Sequence, residues 1–238
     1  MKIQIIGSGS SGNCYRISDG QTALLIECGL PVKKIKEGCD YNLSEISGCI
    51  VTHEHKDHVL SANNLMRAGI DVYMTEGTAV KSGAQTYRLK LWKRDGIDTI
   101  GNPYYHAEKI GTFTVKPYIA HHDAAEPVFY LITSNATNEK LLFVTDSFYI
   151  DYRFSGLTQI MVEANYSKDT LSEPENDKRR NRLRRSHMSI ENCINMLKAN
   201  NLSQCREIWL IHLSSSNGDA EEFKRAVQEA TGCPTYIA

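Results

Sequence analysis

His53, His55, Asp57 and His58 fall within the run His53-Glu54-His55-Lys56-Asp57-His58, behind Cys49-Ile50-Val51-Thr52. Imidazole and carboxylate are the ligands that zinc and related divalent ions accept. Along an extended backbone alternate side chains point the same way, so His53 and His55 can converge on one ion. Asp57 and His58 lie where the chain must bend and can face a second ion, at the roughly 3.5–4 Å separation of dinuclear hydrolases. A surface loop merely rich in His, Glu and Lys is the bland alternative, and so dense a ligand pattern argues against it.

One loop cannot complete two ions, so further ligands are expected where other strand-like runs end. Val115 to Ala120 leads into His121-His122-Asp123, Leu141 to Val144 into Thr145-Asp146, and Ile208 to Ile211 into His212. Taken singly, each would read as a structural residue; beside the His53–His58 loop they read as ligands. Alternation alone does not decide between His121 and His122.

With these motifs the chain resembles the metallo-β-lactamase superfamily. It also looks like the YycJ/WalJ type, through Gly7-Ser8-Gly9-Ser10-Ser11-Gly12-Asn13-Cys14, Leu24 to Leu30, His122-Asp123-Ala124 and Glu163-Ala164-Asn165. The resemblance covers nearly the whole chain. It implies an α/β fold, the four-layer αββα sandwich, in a single domain over residues 1–238. It also implies two divalent ions, zinc with manganese as the alternative, and phosphodiester hydrolysis in the nuclease branch. His53, His55 and His122 would then hold one ion and Asp57, His58 and His212 the other, with Asp146 bridging. His122 is preferred because Asp123-Ala124 follows it, which leaves His121 as a supporting neighbour. The catalytic set is Asp57, Asp146 and His187, with His187 donating a proton to the leaving oxygen or steadying the phosphate. Glu163 and Asn165 would support the ligands. Two positions depart from the family pattern: Glu27 stands where Asp is usual, and Ser186-His187-Met188-Ser189 replaces Gly-His-Leu-Ser.

The elements that must position these residues can be read from periodicity. Strands are predicted at Lys2 to Ile6, Tyr15 to Ser18, Ala23 to Glu27, Cys49 to Thr52, Val72 to Met74, Thr112 to Tyr118, Val128 to Thr133, Leu141 to Val144, Gln159 to Glu163 and Glu207 to Ile211. Helices are predicted at Val59 to Ala68, Ser189 to Ala199 with Ser189 as N-cap, and Asp219 to Ala230. Residues 83 to 111, punctuated by glycine and proline, read as a partly strand-like excursion beside the site. The segment from Gly7 to Asn13 lacks the Gly-Lys-Ser/Thr ending of a phosphate loop and reads as a tight hairpin turn.

The 238 residues are 41% hydrophobic, enough for a substantial core, and the formal net charge of −1 does not announce a nucleic-acid binder. Phosphate recognition would have to be local. The one basic run, Lys178-Arg179-Arg180-Asn181-Arg182-Leu183-Arg184-Arg185, reads either as a solvated linker or as a phosphate contact leading into His187. Seven cysteines without a C-x-x-C pair suit a reducing compartment, and Cys14, Cys28 and Cys49 read as core residues. Met1 to Ile6 reads as a strand rather than a leader, and no apolar stretch approaches membrane-spanning length, so a cytoplasmic location without membrane contact is expected. The leading expectation is a DNA or RNA exonuclease, with nucleic acid or nucleotide as substrate and a homodimer left open. A phosphodiesterase for cyclic nucleotide signals, with Tyr104, Tyr105 or Tyr166 stacking on the base, is the alternative. A thioester hydrolase or an inactive binding module of the same fold is the further one.

Overall fold

Strand order follows chain order through the first half of the molecule because short hairpins and short crossovers leave little choice. The computed structural model describes residues 1–97, 103–168, 178–213 and 218–238, the side chains of 178–180 excepted. The chain forms two compact units, the first of residues 1–119 and 124–138, the second of residues 120–123 and 139–238.

In the first unit β1 (Lys2–Gly7) and β2 (Cys14–Ser18) form an antiparallel hairpin, and β2 pairs antiparallel with β3 (Ala23–Ile26). A crossover through α1 (Val32–Gly38) makes β4 (Ile46–Ile50) parallel to β3. The chain then runs through α2 (Lys56–Val59), α3 (Ala62–Arg67), β5 (Val72–Met74), α4 (Glu76–Ser82) and β6 (Leu89–Leu91), completing a sheet ordered β1-β2-β3-β4-β5-β6. All four residues of β3 are buried, as its continuous apolar sequence requires. The core gathers Leu25, Cys49, Val51, Leu65, Met66 and Val72 among others, each large aliphatic side chain contributing about 1.5–3 kcal/mol by leaving water. A ribbon of β7 (Arg94–Ile97) and β8 (Pro103–Tyr105) follows. Then β9 (Glu108–Ile110), β10 (Phe113–Ile119) and β11 (Val128–Ser134) pair antiparallel in sequence, and Phe113, Val115 and Pro117 of β10 alternate inward.

The second unit is built on parallel pairing. β12 (Lys140–Val144), β13 (Gln159–Glu163), β14 (Glu207–Ile211) and β15 (Thr235–Ile237) lie side by side in that order. α5 (Lys178–Ser186) and α6 (Ile190–Ala199) connect β13 to β14, and α7 (Ala220–Thr231) connects β14 to β15. Ser189 caps α6 by accepting from the Asn192 amide at 3.2 Å, as its sequence position predicts. Asp219 caps α7, accepting from Glu221 N at 2.9 Å and Glu222 N at 3.3 Å.

Two readings of the sequence need revision. The helix expected over Val59 to Ala68 is two short ones, because Ser61 leaves the helical path to donate from Oγ to Leu30 O at 2.6 Å and from its amide to Cys28 O at 2.9 Å. The basic run is not a linker: from Lys178 it is helix α5. The excursion over 83–111 is partly strand-like as expected, containing the short strands β6 to β9, with 98–102 outside the described residues. Missed altogether were α1, which starts behind Pro31 as proline favours, and α4, capped by Thr75 and ended by Gly83 in the left-handed region at φ 67°.

Candidate metal centre

In the first unit, β3 and β4 are parallel, so the residues that follow their C-terminal ends emerge at the same edge: Glu27 after β3, Thr52 and His53 after β4. Glu27 has φ 66°, an unfavourable backbone for a residue with a side chain, and its carboxylate accepts from Thr52 N at 3.3 and 3.4 Å. The loop that follows is clamped by backbone hydrogen bonds. Asn13 N donates to Asp57 O, and Cys28 N to His58 O, each at 2.8 Å. Gly29 makes that approach possible, since a Cβ there would stand 1.6 Å from the Asp57 carbonyl oxygen.

The clamp gathers all four side chains of the motif. His53 Nε2 lies 3.0 Å from His55 Nδ1, the His53 and His58 ring centroids are 4.2 Å apart, and Asp57 Oδ2 is 3.5 Å from His58 Nε2. Thr52 Oγ1 meets His53 Nδ1 at 2.9 Å, while Asn13 Nδ2 and Glu27 Oε1 approach the two ring nitrogens of His58 at 3.3 and 3.6 Å. Burial raises the Glu27 carboxyl pKa against the opposing pull of His58 and Thr52.

In the second unit the same logic is spread along the chain. Asp146 follows β12, Glu163 ends β13 and His212 follows β14, so three parallel strands deliver their residues to one edge. Asp146 (φ 47°) and His212 (φ 52°) both sit in the left-handed region. His187, behind α5, joins them: ligand atoms of Asp146, Glu163, His187 and His212 all lie within 4.8 Å of one another. Glu163 Oε1 is 2.6 Å from His187 Nδ1 and 3.3 Å from His212 Nδ1, while its Oε2 accepts from Met188 N at 3.1 Å and Ser147 N at 3.3 Å. Burial would raise the Glu163 carboxyl, but the adjacent His187 wins and lowers it; burial likewise opposes the charge on His187, and Glu163 overrides it and raises that pKa. Each group thus favours the charged form of the other.

His122 and His121 part company here. His121 Nε2 turns to Asp151 at 2.5 Å and its ring lies against Phe148. His122 turns to the cluster, with Nε2 at 3.6 Å from Asp146 Oδ2 and from Asp123 Oδ1. Its Nδ1 lies 2.7 Å from the carbonyl oxygen of Ser186, which can only accept, so Nδ1 carries the proton. Burial lowers the His122 pKa, so the ring is neutral at pH 7 and Nε2 presents a lone pair to two carboxylates. A lone pair facing anions at that distance suits a cation among them, and the donor set is the one divalent ions take. In each unit the residues present fit a metal.

The sequence pattern of the metallo-β-lactamase superfamily matches residues 7–158, more than half of the chain. The chain belongs to the metallo-β-lactamase superfamily. Its mixed sheets and helices are those of the superfamily's α/β fold, as the motifs implied. The chain is 27% identical to the exodeoxyribonuclease YycJ of Bacillus anthracis, over 96% of its own length and 88% of that protein. It is 26% identical to the exodeoxyribonuclease WalJ of Streptococcus pneumoniae serotype 2 (strain D39 / NCTC 7466), over 92% of its own length and 84% of that protein. The crystal structure of the metallo-β-lactamase fold protein YhfI from Bacillus subtilis superposes with a TM-score of 0.73 at 16% identity, covering 99% of this chain and 95% of that one. This metallo-β-lactamase family member is a hydrolase with a His/Asp cluster of metal-ligand type. Among its described residues no helix is long and apolar enough to cross a membrane.

Sequence reasoning missed the backbone parts of the site. Nothing in residue type marks the Ser186 carbonyl as the acceptor that sets the His122 tautomer, or Asn13 as the neighbour of His58. The one available signal was the close spacing of glycines at Gly7, Gly9, Gly12 and Gly29, which marks where backbones approach.

Proposed function

We propose that the chain is a dinuclear, metal-dependent phosphodiesterase that degrades nucleic acid, an exonuclease of DNA or RNA working in the cytoplasm. The observation that carries this reading is the pair of ligand clusters, one in each unit, in a chain similar almost end to end to proteins named exodeoxyribonucleases. His53, His55 and His122 are assigned to one ion, Asp57, His58 and His212 to the other, and Asp146 to both. Five imidazoles in the set favour zinc over the harder manganese ion. Seven unbridged cysteines suit a reducing cytoplasm.

A pair of divalent ions in such a site supplies water activated near neutral pH and neutralises charge at phosphorus during in-line displacement. The protein's own groups do the rest. His187, held by Glu163, whose carboxylate favours its protonated form, is placed to give a proton to the leaving oxygen. Glu27 and Asn13 orient His58, Thr52 orients His53, and the Ser186 carbonyl fixes His122 with Nε2 available as a ligand.

Two of the aromatic residues that could stack on a cyclic nucleotide are spent elsewhere. Tyr105 is 1% and Tyr166 3% exposed, and Tyr105 donates to Glu126 Oε1 at 2.5 Å. This favours the polymer over the small cyclic substrate. The test is hydrolysis of 5′-labelled single-stranded DNA and RNA beside cyclic mononucleotides, with zinc titrated against manganese. Stepwise loss of the polymer is expected, falling on the order of 10³-fold in Asp57→Ala. Opening of cyclic nucleotides alone would replace the nuclease reading, and polymer cleavage undiminished in Asp57→Ala would remove Asp57 from the site.

A further inference from the structure

α5 is a helix that its own sequence does little to support. Lys178–Ser186 contains no acidic residue, so none of its basic side chains gains an i,i+3 or i,i+4 ion pair within the helix, and like charges at those spacings repel. Arg184 and Arg185 in the last turn complement the helix dipole, which accounts for part of the charge and not for the rest.

Asn181, Arg182, Arg185 and Ser186 of this helix line a concave surface. A cavity of about 360 Å³, at the small end of the ligand-sized range, is lined by Asp123, Asn181, Arg182, Arg185 and Ser186. Arg182 is 65% exposed yet held in direction by Asp123, whose Oδ2 accepts from Arg182 Nε at 2.5 Å. That contact uses Nε and leaves the terminal guanidinium nitrogens able to donate to a second anion. Arg185 is exposed and has no ion-pair or hydrogen-bond partner among the described residues.

The cavity is joined to the candidate metal centre by one hydrogen bond and one neighbouring residue. Ser186, the last residue of α5 and part of the cavity wall, accepts from His122 Nδ1 at 2.7 Å, and Asp123, which orients Arg182, is the next residue in the chain and lies 3.6 Å from His122 Nε2. A group seated between Arg182 and Arg185 is therefore one residue away from a ligand assigned to the reaction centre. The chain as a whole carries a net charge of −1, so this helix is a local positive field on a nearly neutral molecule.

We propose that α5 is the track for the substrate strand: Arg182 and Arg185 take consecutive backbone phosphates of a single-stranded nucleic acid and feed the strand toward His122. The inference rests on the phosphodiesterase reading and adds to it the surface that selects a polymer. Guanidinium groups suit the role because they bind phosphate oxygens through two parallel hydrogen bonds, and backbone contacts of this kind are indifferent to base sequence.

The test is fluorescence anisotropy of the full, metal-loaded chain with a non-hydrolysable single-stranded DNA and its RNA counterpart, as a function of salt. Arg185→Ala and Arg182→Ala are compared with Lys33→Ala, which removes an exposed charge from α1. Each arginine variant is expected to bind about 10-fold more weakly and to lose about 0.7 from the slope of log K against log salt, the share of one released counterion on a single strand. Lys33→Ala is expected to keep the wild-type slope. Arg185→Glu, which inverts the charge on an exposed helix face without touching the core, should weaken binding further. If the wild type binds and degrades the strands and the arginine variants share its slope, the track is wrong and the nuclease reading stands. If the wild type binds neither strand, both fall together.

Discussion

The first unit concentrates its chemistry in six residues; the second disperses the same chemistry over ninety. His53 to His58 are held by their backbone, through Asn13 N, Cys28 N and the close pass at Gly29. His122, Asp146, His187 and His212 come from four separate segments, the three imidazoles touching or facing Glu163 or Asp146 and His122 also held by the Ser186 carbonyl. A local cluster needs a precise backbone; a dispersed one needs a buried charge network. The two are therefore expected to fail in different ways.

The largest effect should come from Gly29→Ala, where a Cβ cannot coexist with the Asp57 carbonyl 1.6 Å away. Backbone must move, at a cost of more than about 4 kcal/mol, and urea unfolding should report either that loss or no folded protein. A fully folded Gly29→Ala with unchanged stability would mean that the loop is not held as described.

Glu163→Ala tests the other kind of support. It leaves buried His187 and His212 without their carboxylate, with an expected loss of about 3 kcal/mol. Glu163→Gln keeps the shape and an acceptor oxygen and should lose less. A pH profile sharpens the point, because the His187 pKa raised by Glu163 should fall in both variants; equal profiles would remove Glu163 from control of that proton.

Chelation should be felt by both regions together if they share ions. With metal at 100-fold above its dissociation constant, removal should cost about 2.7 kcal/mol and lower the melting temperature in a single transition. Two separate transitions, only one of them metal-sensitive, would break the assignment of shared ligands.

Asp19 provides the smallest effect and a control in the first unit away from its motif. Burial alone would raise its pKa, but hydrogen bonds from Thr112 Oγ1 at 2.6 Å, Ser134 Oγ at 2.7 Å and the amides of Thr22 and Gln21 lower it to about 2. A carboxylate with a depressed pKa stabilises the fold above its unfolded value and loses that contribution as pH falls through the folded one. Asp19→Asn should therefore cost about 1 kcal/mol at pH 7, and the difference from wild type should shrink between pH 4 and 2. A difference that grows with acid would reverse the assignment.

Reading the sequence recovered the strands best where burial is strongest. Val72–Met74, Gln159–Glu163 and Glu207–Ile211 have the limits expected of them, because most of their residues are buried and a buried strand leaves a short, mostly apolar run in the sequence. It failed where a single tertiary bond redirects the chain, as when Ser61 turns to Leu30 and splits a helix, and where charge hides a helix, as in α5.

The sequence by itself determined the ligand types, the His53–His58 cluster and the strand ends at which Asp146 and His212 would stand, because metal chemistry restricts residue type and strand ends are marked by where apolar runs stop. The preference for His122 over His121 was already legible in the Asp123-Ala124 that follows it, but only the tertiary structure turned His121 to Asp151, drew Glu163 and His187 together, and joined the arginine helix to His122 through the Ser186 carbonyl. Those choices depend on backbone carbonyls, left-handed turns and approaches between segments far apart in sequence, none of which residue type encodes.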